Sequence, residues 1–184
     1  LEVSKGFFDD PGYDNDQTAI LQLPASDEDL WRAVEAVDAA SPKECGFRCV
    51  ECMIPALRAV IGQAIDEEEG IEAVNEFARE LKKKSRGWDT PEIVKYKALL
   101  EANHVSSLQE AERLTHRLDE YELLPEIGAS WDYAELVLRE EYPGLPAELF
   151  QTGQAAQIGQ RLLAQNGTAL TEYGLVRRKD RLPE

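Results

Sequence analysis

Acidic residues come in blocks along this chain, and the blocks limit how it can fold, because like charges must be turned outward or kept apart. Residues 1–40 hold ten acids and two bases, residues 41–86 nine and eight, residues 87–150 fourteen and five, and residues 151–184 three and five. The formal net charge is -16 over 184 residues. Acid used only for solubility could be scattered, whereas acid in blocks suits a surface presented to something basic. The competing reading is a set of solvated helix faces, the usual role of a charge run.

The acidity does not signal disorder, since apolar residues recur throughout and make up 43% of the chain, enough for a core. No run of ~18 apolar residues suggests a membrane span, and no basic-then-apolar stretch reads as a signal peptide. Cys45, Cys49 and Cys52 fall within eight residues, and an odd, crowded set fits a reducing compartment better than a disulfide framework. The expectation is a cytoplasmic protein with no membrane partner.

Turn chemistry and periodicity divide the sequence. Leu1–Phe8 and Thr18–Pro24 read as two strands around the acidic loop containing Pro11-Gly12. Ser26 is a helix cap ahead of Asp27-Glu28-Asp29, and Leu30, Val34 and Val37 repeat at helical spacing. A short strand is expected around Phe47 and Cys49, and a helix from Pro55 to Ile65. From Asp66, one apolar stripe runs through Ile71, Val74, Phe77, Ala78 and Leu81. Pro91 opens a second helix with Ile93, Tyr96, Leu99 and Leu100 inward, and Ser106-Ser107 opens a third with Leu108, Ala111, Leu114 and Leu118. Three amphipathic helices on short connections suggest an antiparallel bundle. Beyond them come a short strand at Glu120–Leu124, helices from Ser130 and Thr152, the turn signal Asn166-Gly167, and a closing hairpin around Tyr173-Gly174. The expected architecture is α+β and elongated: an N-terminal α+β domain over residues 1–62, a central helical bundle over 63–119, and a C-terminal α+β domain over 120–184.

The catalytic inventory is thin. Cys45, Cys49 and Cys52 have C-x3-C-x2-C spacing, which holds an iron–sulfur cluster in radical enzymes, but Glu51 stands where an aromatic residue is usual and the chain is too short for the accompanying barrel. A zinc site lacks a fourth ligand, because His104 and His116 lie far off on expected helices. Ordinary thiols are the preferred reading, with a small metal-binding protein as the alternative. Neither histidine has a nearby nucleophile arranged to use it as a base. No P-loop, G-x-G-x-x-G, H-E-x-x-H or G-x-S-x-G is present. Asp9-Asp10 and Asp14-Asn15-Asp16 lack the ligand order of an EF-hand. No catalytic residue, cofactor or metal is therefore expected.

What remains is the acid itself. Asp66, Glu67, Glu68, Glu69, Glu72 and Glu76 gather at an expected helix start; Asp119, Glu120, Glu122 and Glu126 follow one another across a boundary; Asp132, Glu135, Glu140 and Glu141 decorate one helix. Carboxylates three or four residues apart on a helix lie ~5–6 Å from one another, too sparse on one helix to match the phosphates of one strand, ~3.4 Å apart along the axis. Two acidic elements together would be needed. In total charge the chain equals about 27 Å of duplex, and a dimer about 54 Å.

Several short signatures, in order, resemble the ArdA antirestriction family: Leu23-Pro24-Ala25 before an acidic helix; Val74-Asn75-Glu76-Phe77-Ala78; Leu99-Leu100-Glu101-Ala102; Leu118-Asp119-Glu120-Tyr121-Glu122-Leu123; Asp132-Tyr133-Ala134; and Leu170-Thr171-Glu172-Tyr173-Gly174-Leu175-Val176. The resemblance implies an elongated three-domain protein, usually a homodimer, that mimics bent duplex DNA and occupies the DNA groove of type I restriction–modification enzymes. It implies no enzymatic activity and no direct contact with nucleic acid. The chain departs from the family at Lys82-Lys83-Lys84-Ser85-Arg86, where acids are typical, and in the segment Cys45–Cys52; the mimic is expected to be interrupted at the basic run. A different basic target, such as a CRISPR effector, a nucleoid protein or a transcription regulator, is the alternative that keeps the acidic surface.

Overall fold

A computed structural model of the chain describes residues 1–6, 8, 17–61 and 70–179. Its described elements are β1 (Glu2–Lys5), β2 (Thr18–Ile20), α1 (Asp27–Ala36), β3 (Cys45–Arg48), α2 (Pro55–Val60), α3 (Ile71–Lys84), α4 (Pro91–Ala102), α5 (Leu108–His116), β4 (Tyr121–Leu124), α6 (Ser130–Glu141), α7 (Gly153–Asn166), β5 (Ala169–Thr171) and β6 (Gly174–Arg178). The fold is α+β, with two small antiparallel three-stranded sheets. The chain divides into two compact units, Leu1–Thr90 with Val105–Thr115, and Pro91–His104 with His116–Glu184. Of the helices read from the sequence as one bundle, α3 and nearly all of α5 belong to the first unit, and α4 belongs to the second.

In the first unit the strand order is β2-β1-β3. Val3 stands opposite Ala19 on one side and Phe47 on the other, and its side chain is fully buried. Ser26 starts α1 as its chemistry demands, accepting a hydrogen bond from Asp29 N (3.1 Å) while its hydroxyl donates to Asp29 Oδ2 (2.7 Å). The 3.6-residue spacing then buries Leu30, Ala33 and Val34. Helix α2 runs to Val60, with Ile61 at its C-terminal cap; the remainder of the helix expected as far as Ile65 lies outside the described residues. In α3, Ile71, Val74, Phe77, Ala78 and Leu81 form the buried stripe that the sequence pattern indicates.

The end of α3 explains the basic run. Lys82, Lys83 and Lys84 fill its last turn, where cations oppose the partial negative charge of the free carbonyls. The buried Ser85 hydroxyl lies 2.7 Å from both Leu81 O and Gly87 O, and Thr90 Oγ1 donates to Ser85 O at 2.8 Å. Arg86 and Gly87 both take positive φ, 59° and 131°, which reverses the chain.

In the second unit the strand order is β4-β6-β5. Residues Leu118–Glu120 form a 3-10 turn, so the strand expected from Glu120 begins at Tyr121. Helix α4 packs on all three strands, with Ile93, Tyr96, Leu99 and Leu100 almost completely buried. Ile127, Tyr133 and Leu175 form a core joined by Leu124, Leu136, Val137, Leu162, Leu163 and Leu170. Helices α6 and α7 pack so closely that a Cβ on Gly159 would stand 1.7 Å from Ser130 O. Thr152 caps α7 by accepting from Ala155 N (3.2 Å), and Gly167 ends it at φ 60°.

Candidate functional site

The acids separate into those committed within the fold and those turned to solvent without a cation. In the first unit, Asp66, Glu67, Glu68 and Glu69 lie outside the described residues. Glu72 is exposed in the first turn of α3, where negative charge stabilises the helix. Glu76, also exposed, lies 3.6 Å from Arg79. That arginine is held more closely by Asp27 Oδ1 and Ala25 O, each at 2.7 Å. On α1, Arg32 bridges Glu28 (2.8 Å) and Asp29 (2.9 Å).

In the second unit, several candidates are already spoken for. Glu120 accepts from Arg117 Nε (3.0 Å) and Nη2 (2.8 Å) and lies 3.6 Å from Arg178. The Arg117 hydrogen bond holds its carboxyl below the usual carboxylate range. Glu122 faces Arg177 across β4 and β6 and forms a close ion pair with it. Glu135 pairs with Arg139 (2.7 Å), whose guanidinium also covers the Phe150 ring. Asp132 accepts from Ala129 N (2.9 Å) and Gly128 N (3.2 Å), which fixes the start of α6. These four carboxylates are structural before they can be anything else: Glu122 joins two strands, Glu120 holds Arg117 beside it, and Asp132 and Glu135 stabilise α6 itself.

Asp119, Glu126, Glu140 and Glu141 differ: all are exposed and none has an ion pair within 4 Å among the described residues, although Asp119 acts on Lys95 at longer range. Glu148, which the sequence reading did not single out, is exposed in the same way after Pro146. Glu140 and Glu141 are the last two residues of α6. Acid at a helix C-terminus opposes the helix dipole, so these two charges work against local stability, by ~0.3–1 kcal/mol each. Helix α3 ends in three lysines and α6 ends in two glutamates; the first arrangement serves its helix and the second does not.

The remaining candidates for chemistry do not assemble a centre. Among the described residues, no three His, Cys, Asp or Glu side chains gather where they could hold a metal ion. Cys45 is buried in β3, whereas Cys49 and Cys52 are partly exposed in the segment that follows. His104 follows α4 at φ 49°, and His116 ends α5. Asp9-Asp10 and Asp14-Asn15-Asp16 lie outside the described residues. No described helix is long and apolar enough to cross a membrane.

Residues that carry the family resemblance occupy joints of the fold. Asn75 bonds to the backbone of Ala25, and Tyr133 Oη accepts from Asn166 Nδ2 at 2.8 Å. The Glu101 carboxylate accepts from Glu172 N (3.2 Å), joining α4 to the β5–β6 turn. Gly174 has φ 123°, and a Cβ there would lie 2.5 Å from Leu124 O, so only glycine fits that approach. No protein-family model matches the chain, and neither does any curated protein.

Proposed function

We propose that this chain is a non-enzymatic antirestriction protein of the ArdA kind: a cytoplasmic, homodimeric acidic DNA mimic, carried on a mobile element, that occupies the DNA-binding groove of a type I restriction–modification enzyme. The observation that carries the reading is the acid at the wrong end of α6. Glu140 and Glu141 are exposed, lack a cation among the described residues, and oppose their own helix dipole. Residues that weaken their own element are best accounted for by what they meet outside it.

The neighbouring charges support the same reading. Arg139, Arg177 and Arg178 each lie within 4 Å of a carboxylate, so these three cations are engaged by Glu135, Glu122 and Glu120. Asp119, Glu126 and Glu148 add acid that is not neutralised in this way. The chain also carries -16 in total, matching the phosphate charge of about 27 Å of duplex. The ordered signatures from Leu23 to Val176 supply the family, and the dimer and the type I target follow from it.

The experiment is competition. Purified protein is titrated against a type I methyltransferase complex bound to its DNA, at several salt concentrations. Displacement that weakens steeply as salt rises is the expected result. No displacement at low salt, with the enzyme active, would overturn the reading.

A further inference from the structure

The first unit contains an apolar cleft of about 520 Å³ whose walls include Leu21, Ile54, Leu57, Phe77 and Leu81. Cys49 and Cys52 both line it. They lie on the bent connection between β3 and α2, separated in sequence by two residues. Both are partly exposed, unlike Cys45. Two thiols alone leave a tetrahedral metal site half built, and no third ligand stands with them among the described residues. Two adjacent thiols that solvent can reach have a different chemistry open to them, which is exchange with a disulfide.

We propose that Cys49 and Cys52 form a thiol–disulfide exchange site that takes a low-molecular-mass disulfide as co-substrate and closes into an intramolecular disulfide at the cleft. Cys52 is the entering thiol. The Cys49 thiol is engaged, donating to Glu51 O at 3.5 Å, and must give up that contact before it can attack; burial, followed by the nearby Cys52, also favours its protonated form. The Cys52 thiolate attacks one sulfur of the co-substrate; the S–S bond breaks, and one thiolate leaves and takes up a proton. Cys49 then loses its proton to solvent, releases Glu51 O and attacks the Cys52 sulfur, displacing the second thiolate, which is also protonated. The two protein thiols give up two electrons and two protons, and the co-substrate becomes two thiols. The inference is independent of any DNA mimicry, since it uses none of the acids of the second unit.

The test uses the full chain equilibrated in glutathione buffers of graded ratio, quenched with acid, alkylated and mapped by peptide mass spectrometry. Expected is one two-electron transition to a Cys49–Cys52 cross-link with Cys45 still alkylated. Two stable glutathione adducts, two free thiols across the range, or a cross-link through Cys45 would each overturn the proposal, and this readout needs no variant. In Cys49→Ser, glutathione should remain attached at Cys52. In Cys52→Ser, modification of Cys49 should be slower than modification of Cys52 in Cys49→Ser; equal or faster modification of Cys49 would overturn the assigned order of attack.

Discussion

Asn75 and Ala25, fifty residues apart, exchange two hydrogen bonds: Ala25 N donates to Asn75 Oδ1 at 2.7 Å, and Asn75 Nδ2 donates to Ala25 O at 3.2 Å. The side-chain amide acts as a piece of backbone, satisfying the chain just before α1 from a buried position on α3. Arg79, one turn along, reaches the same carbonyl. Asn75→Ala leaves that carbonyl with Arg79 but strips the Ala25 N–H of its partner.

The expected loss for Asn75→Ala is ~1–3 kcal/mol, the penalty for a buried donor left without an acceptor. Asn103→Ala is the control, because Asn103 follows α4, donates through Nδ2 to Leu99 O in the helix's last turn, and is exposed; it should change stability by about 0.5 kcal/mol or less. Urea unfolding followed by circular dichroism checks both. A lowered midpoint at unchanged slope for Asn75→Ala supports the account, and equal midpoints for the two variants would remove it.

Gly159→Ala should invert the usual rule. Replacing glycine inside a helix by alanine normally stabilises by up to ~1 kcal/mol, but here the new methyl would meet Ser130 O at 1.7 Å and Ser130 C at 2.5 Å. Helix α7 must then move off α6, and a loss of ~1–3 kcal/mol is expected from overpacking. Gly153→Ala, with nothing within 4 Å of the added carbon, should be neutral or slightly stabilising. Thermal unfolding separates the pair.

Tyr173 should report alkaline pH. Its pKa is pushed up to about 12, first by the hydrogen bond to the Glu172 carboxylate, then by burial and by the charges of Glu172 and Glu101. The unfolded chain releases this proton near the ordinary value of 10.0, so between pH 10 and about 12 the native state holds more protons. The contribution to stability is therefore complete below pH 10 and is lost as pH rises towards 12. Phenolate absorbance should show a late step that Tyr173→Phe abolishes and Glu172→Gln moves to lower pH. A titration unchanged by Glu172→Gln would refute the assigned cause.

What could be read from the sequence was what local chemistry decides. Ser26 before three acids, Asn166-Gly167 after an apolar repeat, and Tyr173-Gly174 between two short apolar runs each fix a boundary through groups a few residues apart, and each boundary stands in the fold. Pairings that depend on register or on distant packing were not readable. Nothing near Glu122 in sequence announces Arg177 as its partner, because that contact needs the register of β4 on β6. Nothing around Gly159 announces Ser130 O. The acids show the same limit most clearly: their number can be counted in advance, but the commitment of Glu120, Glu122, Asp132 and Glu135 to the fold appears only once their partners are placed.

That division yields the sharpest functional prediction. The double variant Glu140→Gln/Glu141→Gln removes two charges that oppose the α6 dipole, so its thermal stability should rise slightly, while its displacement of DNA from a type I enzyme should weaken by roughly tenfold, about 1.4 kcal/mol, with a shallower salt dependence. Glu122→Gln should do the reverse. It leaves Arg177, only 17% exposed in its side chain, without its carboxylate, so stability falls and displacement by the surviving folded protein stays near the parent value. Thermal unfolding and DNA competition on the same preparations read the two effects separately. A surface that is acidic only for solubility would let Glu140→Gln/Glu141→Gln become more stable with no change in displacement, and that outcome would leave the exposed end of α6 without a partner.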